Sequence, residues 1–211
     1  MASGFGWYLF PQTDVSLRWD GSTIFYQLDD MPDWLPVADG VGFPGPYAAF
    51  LEQAPDSVRA VPPPASLTAI PEPGIIQVSL GIAARSAPGW GLLLRRPANY
   101  PVPGAIEHFE GVIDPAGWFG PMFINLRITR TDTPVRLYSD RPLVQAQPVP
   151  IALLKTDTTN VADMGDDEWA DWAQTVTEPL GDPNRDFGGY AVRARKLRKS
   201  GTCPFNGNTA Q

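Results

Sequence analysis

Apolar and polar residues alternate with a period of two along much of this chain, and that period predicts strands rather than helices. Trp7 and Leu9, then Val15, Leu17 and Trp19, then Ile24 and Tyr26 mark a meander near the start. Asp20-Gly21, between two of these runs, predicts a hairpin, because glycine accepts the positive φ of a tight turn. Residues 74–84, GIIQVSLGIAA, predict an apolar strand. The most regular alternation lies in residues 89–151: Trp90, Leu92 and Leu94, then residues 122–128 with Phe123, Asn125 and Arg127 on the opposite face, then residues 135–138. Pro97, Pro101, Pro103, Gly104, Pro115, Gly117, Gly120 and Pro121 interrupt these runs and set turns. The Gly-Trp word that opens residues 6–11 is echoed at residues 89–97. Trp7, Trp19 and Trp90 fall on the apolar faces and are expected in the core.

Elsewhere the pattern breaks. Residues 29–73 are rich in Pro, Asp, Gly and Ala and read as a Pro-rich loop insertion, with one short helix over residues 47–53 that turns Phe50 and Leu51 to the core. The prolines at 62–64 predict an extended connector. Residues 163–175, DMGDDEWADWAQT, predict a helix, since Asp163 can cap it and acidic residues fill the first turn. Residues 190–197 fit a last short strand or helix, and residues 200–211 a flexible tail. The expected architecture is mainly β: one domain over residues 1–199 with a sandwich or jelly-roll-like core, Pro-rich loops and one C-terminal helix.

Composition narrows the function. The net charge of −7 disfavours nucleic acid as a partner, although Arg185, Arg193, Arg195, Lys196, Arg198 and Lys199 make a basic end that is expected to dock on the acidic body. Cys203 is the single cysteine, so no intrachain disulfide is available and a cytoplasmic setting is expected. No apolar run is long enough to span a bilayer, and no membrane is expected. A single histidine, His108, excludes metal centres that need two imidazoles from one chain. The acidic words at residues 29–33 and 166–168 lack the spacing of a calcium loop, and no phosphate-binding or dinucleotide word occurs, so neither metal nor cofactor is expected.

The chemistry left is concentrated in the central run. Asp114 stands before Pro115, where its carboxylate serves either as a general base or as the cap of its own turn. His108, between Glu107 and Glu110, is either an oriented acid-base group or a half-exposed loop histidine. Arg95, Arg96 and Asn99 could hold an anion, but neighbouring strand residues face opposite ways, so at most one arginine faces a pocket, and Glu110 is available to pair with the other. Trp34 and Trp118 are candidates to stack on a ring.

Two resemblances follow from these words. GWYLFPQTDVSLRWDGS, PGWGLLLRRPANYP, FEGVIDPAGWFGPMFINLRITR and PVRLYSDRPLVQAQPVP, in that order, resemble a bacterial family defined only as a domain of unknown function. It implies no chemistry, though its acidic residue and tryptophan match Asp114 and Trp118. Residues 111–151, with GVIDPAGWFG and DRPLVQAQPVPI, are similar to the third and fourth motifs of the trimeric dUTPase and dCTP deaminase superfamily. That resemblance implies a dUTPase-like β core, with Asp114 positioning water, Trp118 near a sugar-stacking aromatic, Arg141 as the fourth-motif arginine, and self-association as a trimer. The chain departs from the pattern in an extra residue between Asp114 and Gly120, in Arg95-Arg96-Pro97 replacing Arg-Ser-Ser, and in Asn125 at the deaminase glutamate. A magnesium-binding aspartate and a glycine-rich tail are also missing. The leading expectation is a protein that binds a small anionic ligand or a protein partner through Arg95, Arg96, Asn99, Trp118, Asn125 and Arg141. The alternatives are a hydrolase of a nucleotide-like or other anionic molecule with Asp114 as base and His108 as a second catalytic candidate, and an assembly protein joined by β edges and proline arms.

Overall fold

Where apolar alternation is sustained, the chain forms strands. A computed structural model describes residues 5–38, 40–59, 63–116, 119–154 and 165–172. The chain divides into two compact units, Met1–Thr156 and Asp157–Gln211. The described strands of the first unit are β1 (Trp7–Leu9), β2 (Val15–Trp19), β3 (Ile24–Gln27), β4 (Leu35–Pro36), β5 (Leu67–Ala69), β6 (Ile75–Ala84), β7 (Trp90–Arg95), β8 (Ile106–His108), β9 (Gly111–Ile113), β10 (Gly120–Ile128), β11 (Val135–Leu137) and β12 (Val144–Pro150). They pair into three four-stranded sheets ordered β1-β12-β7-β9, β5-β6-β10-β8 and β11-β2-β3-β4. Each named pairing is antiparallel. The protein is thus mainly β, as the alternation predicts.

One buried cluster joins the three sheets. Leu17 on β2, Leu67 on β5, Ile76 on β6, Leu126 on β10 and Val144 on β12 are each 0% exposed. Along β10 the alternation is carried through: Met122, Ile124, Leu126 and Ile128 are buried, and the residues between them are not. The β2–β3 hairpin turns at the expected place. Gly21 has φ of 103°, and the Asp20 carboxylate accepts the Ser22 and Thr23 N–H groups at 2.8 and 2.7 Å. Those two bonds hold its pKa below the ordinary value.

Two expectations are corrected. Trp7 and Trp90 are 59% and 44% exposed, and only Trp19 packs against the core. Trp7 opens the edge strand β1, and Trp90 pairs with Pro150 at the end of the β7–β12 ladder, so each sits at the margin of its sheet. The two Gly-Trp words start the strands that flank β12 on either side.

The second correction concerns residues 29–73, which hold β4, α1 (Pro44–Gln53), α2 (Asp56–Arg59) and β5 as well as loop. Helix α1 starts earlier than expected because Pro44 and Pro46 sit in its first turn, where an N–H lacks an intrahelical partner anyway. No residue of α1 is buried; Phe50 and Leu51 are half-buried. The anchor is Phe43, just before the helix, which is buried and whose N–H donates to Ser66 Oγ at 3.1 Å.

In the second unit the described residues include α3 (Asp166–Trp172), inside the predicted 163–175 helix, with Trp169 and Trp172 edge to face at 6.3 Å. Asp163, the basic residues from Arg185 onward, Cys203, the 190–197 element and the 200–211 tail lie outside the described residues. Among the described residues no helix is long and apolar enough to cross a membrane.

Candidate functional site

The β7–β9 register sorts the predicted site residues into separate regions. Leu92 pairs with Ile113 and Leu94 with Gly111, so Asp114 falls beside Gly91 while Arg95 ends the strand. At about 3.3 Å per residue the two are roughly 13 Å apart. Arg141 lies beyond the β12 start, at the Arg95 end, because Gln145 pairs with Arg95. Asn125 is on another sheet, where its Oδ1 accepts Gln77 Nε2 at 3.2 Å across the β6–β10 ladder. Trp118 lies outside the described residues. Asp114 is exposed, and its Oδ1 accepts the Ala116 N–H at 3.0 Å, the bond of a carboxylate capping its own turn. Among the described residues no group of His, Cys, Asp and Glu is placed to hold a metal ion.

At the Arg95 end the chain makes a recess. Pro97, Ala98, Asn99 and Tyr100 form a turn closed by the Tyr100 N–H to the Pro97 carbonyl at 3.4 Å. Asn99 sits at its third position with φ of 60°, a conformation asparagine tolerates, so its part there is in the backbone. Below this turn, the buried Gln145 accepts the Ala98 N–H at 3.0 Å and donates to the Phe5 carbonyl at 2.8 Å. Opposite it, Tyr138 to Arg141 form a second turn, closed by the Arg141 N–H to the Tyr138 carbonyl at 3.1 Å. That turn folds the Arg141 guanidinium back over the Tyr138 ring, 4.2 Å from its centroid. Tyr100, Tyr138, Arg136 and Arg141 line a recess of about 270 Å³ together with Pro101 and Pro142.

The two guanidiniums of the recess differ. Arg136 Nη2 meets Asp29 at 2.6 Å and Asp14 at 3.3 Å, and Nη1 donates to Ser16 Oγ at 3.2 Å. The Asp29 bond foremost holds its pKa above the usual value. Asp14 also accepts the Ser139 N–H and hydroxyl at 2.8 and 2.7 Å, and these bonds push its pKa down. This network fixes the start of the Tyr138–Arg141 turn. Arg141, by contrast, is exposed and holds no carboxylate among the described residues.

Behind the recess stands His108, whose Nε2 lies 2.8 Å from the carbonyl of Leu143, the residue before β12, tying β8 to the start of that strand. A carbonyl only accepts, so Nε2 carries the proton. Burial lowers the His108 pKa; Arg96 adds to this, while the Leu143 bond and Glu110 oppose it. Glu110 takes the backbone N–H of Arg96 at 2.9 Å rather than a guanidinium. Because the folded pKa lies below the unfolded value near 6.5, unfolding takes up a proton in acid. The stability contributed by neutral His108 is complete above pH 6.5 and is lost as pH falls through the folded pKa. The Asp14 contribution is lost separately, as pH falls below its unfolded value near 3.8. Melting temperature is expected to drop between pH 7.5 and 5.5, and to drop less in His108→Gln, whose amide can still donate to Leu143. Equal slopes in a thermal melt of the two proteins would remove His108 as the cause.

The structure thus brings Arg96, Asn99 and Arg141 to the Arg95 end of the β7–β12 ladder, sets His108 on the neighbouring sheet with its ring against Leu143, and leaves Asp114 at the other end of β7 and Asn125 on the β6–β10 ladder. Tyr100, Tyr138, Arg136 and Gln145 are members that sequence reasoning missed. The word Tyr-Ser-Asp-Arg after an alternating run was a readable turn signal that would have placed Tyr138 under Arg141. The chain matches no protein-family model, no curated protein and no solved structure.

Proposed function

We propose that the protein is a non-catalytic binding module that takes a small anionic ligand in the recess between the Tyr100 and Tyr138 turns. The observation that carries this reading is the Arg141 guanidinium, stacked 4.2 Å over Tyr138 and without a carboxylate among the described residues, at an apolar recess of about 270 Å³. A few polar groups set in apolar walls are the usual make-up of a small-molecule site. Arg136, His108 and Gln145 hold the walls through their bonds to Asp14 and Asp29, Leu143 and Ala98. Asp114, whose carboxylate accepts the Ala116 N–H, stands at the far end of the β7–β9 ladder and does not line this recess.

A chemical-shift titration with small organic anions tests the reading. Shifts are expected to centre on Tyr100, Tyr138 and Arg141. Arg141→Ala, at an exposed position that leaves the fold intact, is expected to weaken binding about 10- to 100-fold, the worth of a hydrogen bond to a charged group. Binding unchanged in Arg141→Ala would place the site elsewhere.

A further inference from the structure

We infer that the ligand of this recess is a monocarboxylate attached to an apolar ring, an inference that rests on the binding reading above. Charge favours a monoanion. Two guanidiniums line the recess, but Arg136 is held by Asp14 and Asp29, so that trio carries one net negative charge and Arg141 one positive. A monoanion at Arg141 is matched by the recess guanidinium that holds no carboxylate among the described residues. A phosphate dianion would bring a second charge towards two carboxylates that already hold the other arginine.

The supply of donors also disfavours phosphate. Sites that cradle phosphate depend on several backbone N–H groups aimed at the oxygens. Here Pro11, Pro101, Pro103 and Pro142 stand in the wall, and a proline has no N–H to give. What the wall offers is flat apolar surface, continued by the rings of Tyr100 and Tyr138. Arg141 lies over Tyr138, so stacking orients the planar fork and leaves its N–H edge to grip both oxygens of a carboxylate. At about 270 Å³ the recess falls just under the range of drug-sized pockets, which suits one ring and its carboxylate. The same chemistry is presented by a free aryl acid and by a peptide chain ending in an aromatic residue.

Titration of the full chain with phenylacetate, N-acetylphenylalanine, phenyl phosphate and neutral phenylacetamide, followed by backbone amide shifts and calorimetry, tests this. At least one carboxylate is expected to bind tenfold or more tighter than phenyl phosphate and phenylacetamide. Preference for N-acetylphenylalanine would assign a chain end as the source, and preference for phenylacetate a free acid. Arg141→Lys is expected to lose about tenfold, because a point charge replaces the fork. Asp29→Asn, which removes one of the two carboxylate charges beside Arg136 while Asp14 still holds it, is expected to raise phenyl phosphate affinity and narrow the preference. Phenyl phosphate binding at the recess as tightly as the carboxylates would overturn the ligand class and leave the binding site standing. No response to any of the four probes would overturn the site itself.

Discussion

Leu126→Ala is expected to lower the unfolding free energy by about 3 kcal/mol, within the range for emptying a fully buried leucine site. Leu126 is 0% exposed on β10, the strand that pairs with both β6 and β8, and it lies within the cluster shared by all three sheets. Its neighbours Ile124 and Ile128 are held in the same ladders, so the sheet cannot close over the missing methyl groups without breaking register. For a unit of this size the loss corresponds to a fall in melting temperature of roughly 10 °C. Leu153→Ala, at a site 57% exposed, is the control and is expected to change stability by less than about 0.5 kcal/mol. A Leu126→Ala protein that unfolds within 1 kcal/mol of the parent, where ~2 is the floor for such a change, would show that β10 is not central to the core.

Gln145→Glu is expected to cost about as much at neutral pH, roughly 3 kcal/mol or more, although it alters little but one donor. The Gln145 side chain is 1% exposed; its Oε1 takes the Ala98 N–H and its Nε2 gives to the Phe5 carbonyl. A glutamate keeps the first bond but places a charged oxygen against the Phe5 carbonyl, where two acceptors repel. Since Gln147 also donates to that carbonyl, at 3.1 Å, the penalty lies with the buried charge more than with the carbonyl. On acidification the carboxyl takes up a proton and regains a donor, so the deficit is expected to shrink as pH falls. Gln145→Leu, which leaves the Ala98 N–H without this acceptor, should cost about 2 kcal/mol at every pH. Denaturant melts at several pH values separate the two, and a Glu variant as stable as the parent at pH 7.5 would sink the argument.

Much of the fold was legible because a period of two has few other meanings. The β10 run and the Asp20-Gly21 hairpin were readable from local pattern alone, since burial follows from which face a side chain takes. Periodicity reports the face but not how far the opposing layer extends, and that is why Trp7 and Trp90 lie on apolar faces yet remain exposed. Within residues 29–73, composition hid the first turn of α1 and the whole of β5. A proline breaks a helix only past its first turn, and Leu67 is recruited to its sheet by pairing with the distant Val78.

Of the site, Arg141 was singled out through the resemblance of residues 111–151 to a fourth dUTPase-like motif, and its relation to Tyr100 depends on a register between strands far apart in sequence. Asp114 stood out as an acid before a proline, and the β7–β9 ladder places it at the end away from Arg95.

The pairing of Trp7 with Ala146 also governs how the protein is made. During synthesis the segment around Trp7 emerges long before its mate and must wait, apolar and unsealed, until nearly all of the first unit has left the ribosome. Contacts so distant along the chain slow the final closure, towards the millisecond-to-second range of non-local β proteins. Fusions or truncations at the amino end would therefore be felt late in maturation, as a sheet whose last seam fails to form, with β12 left open to foreign strands.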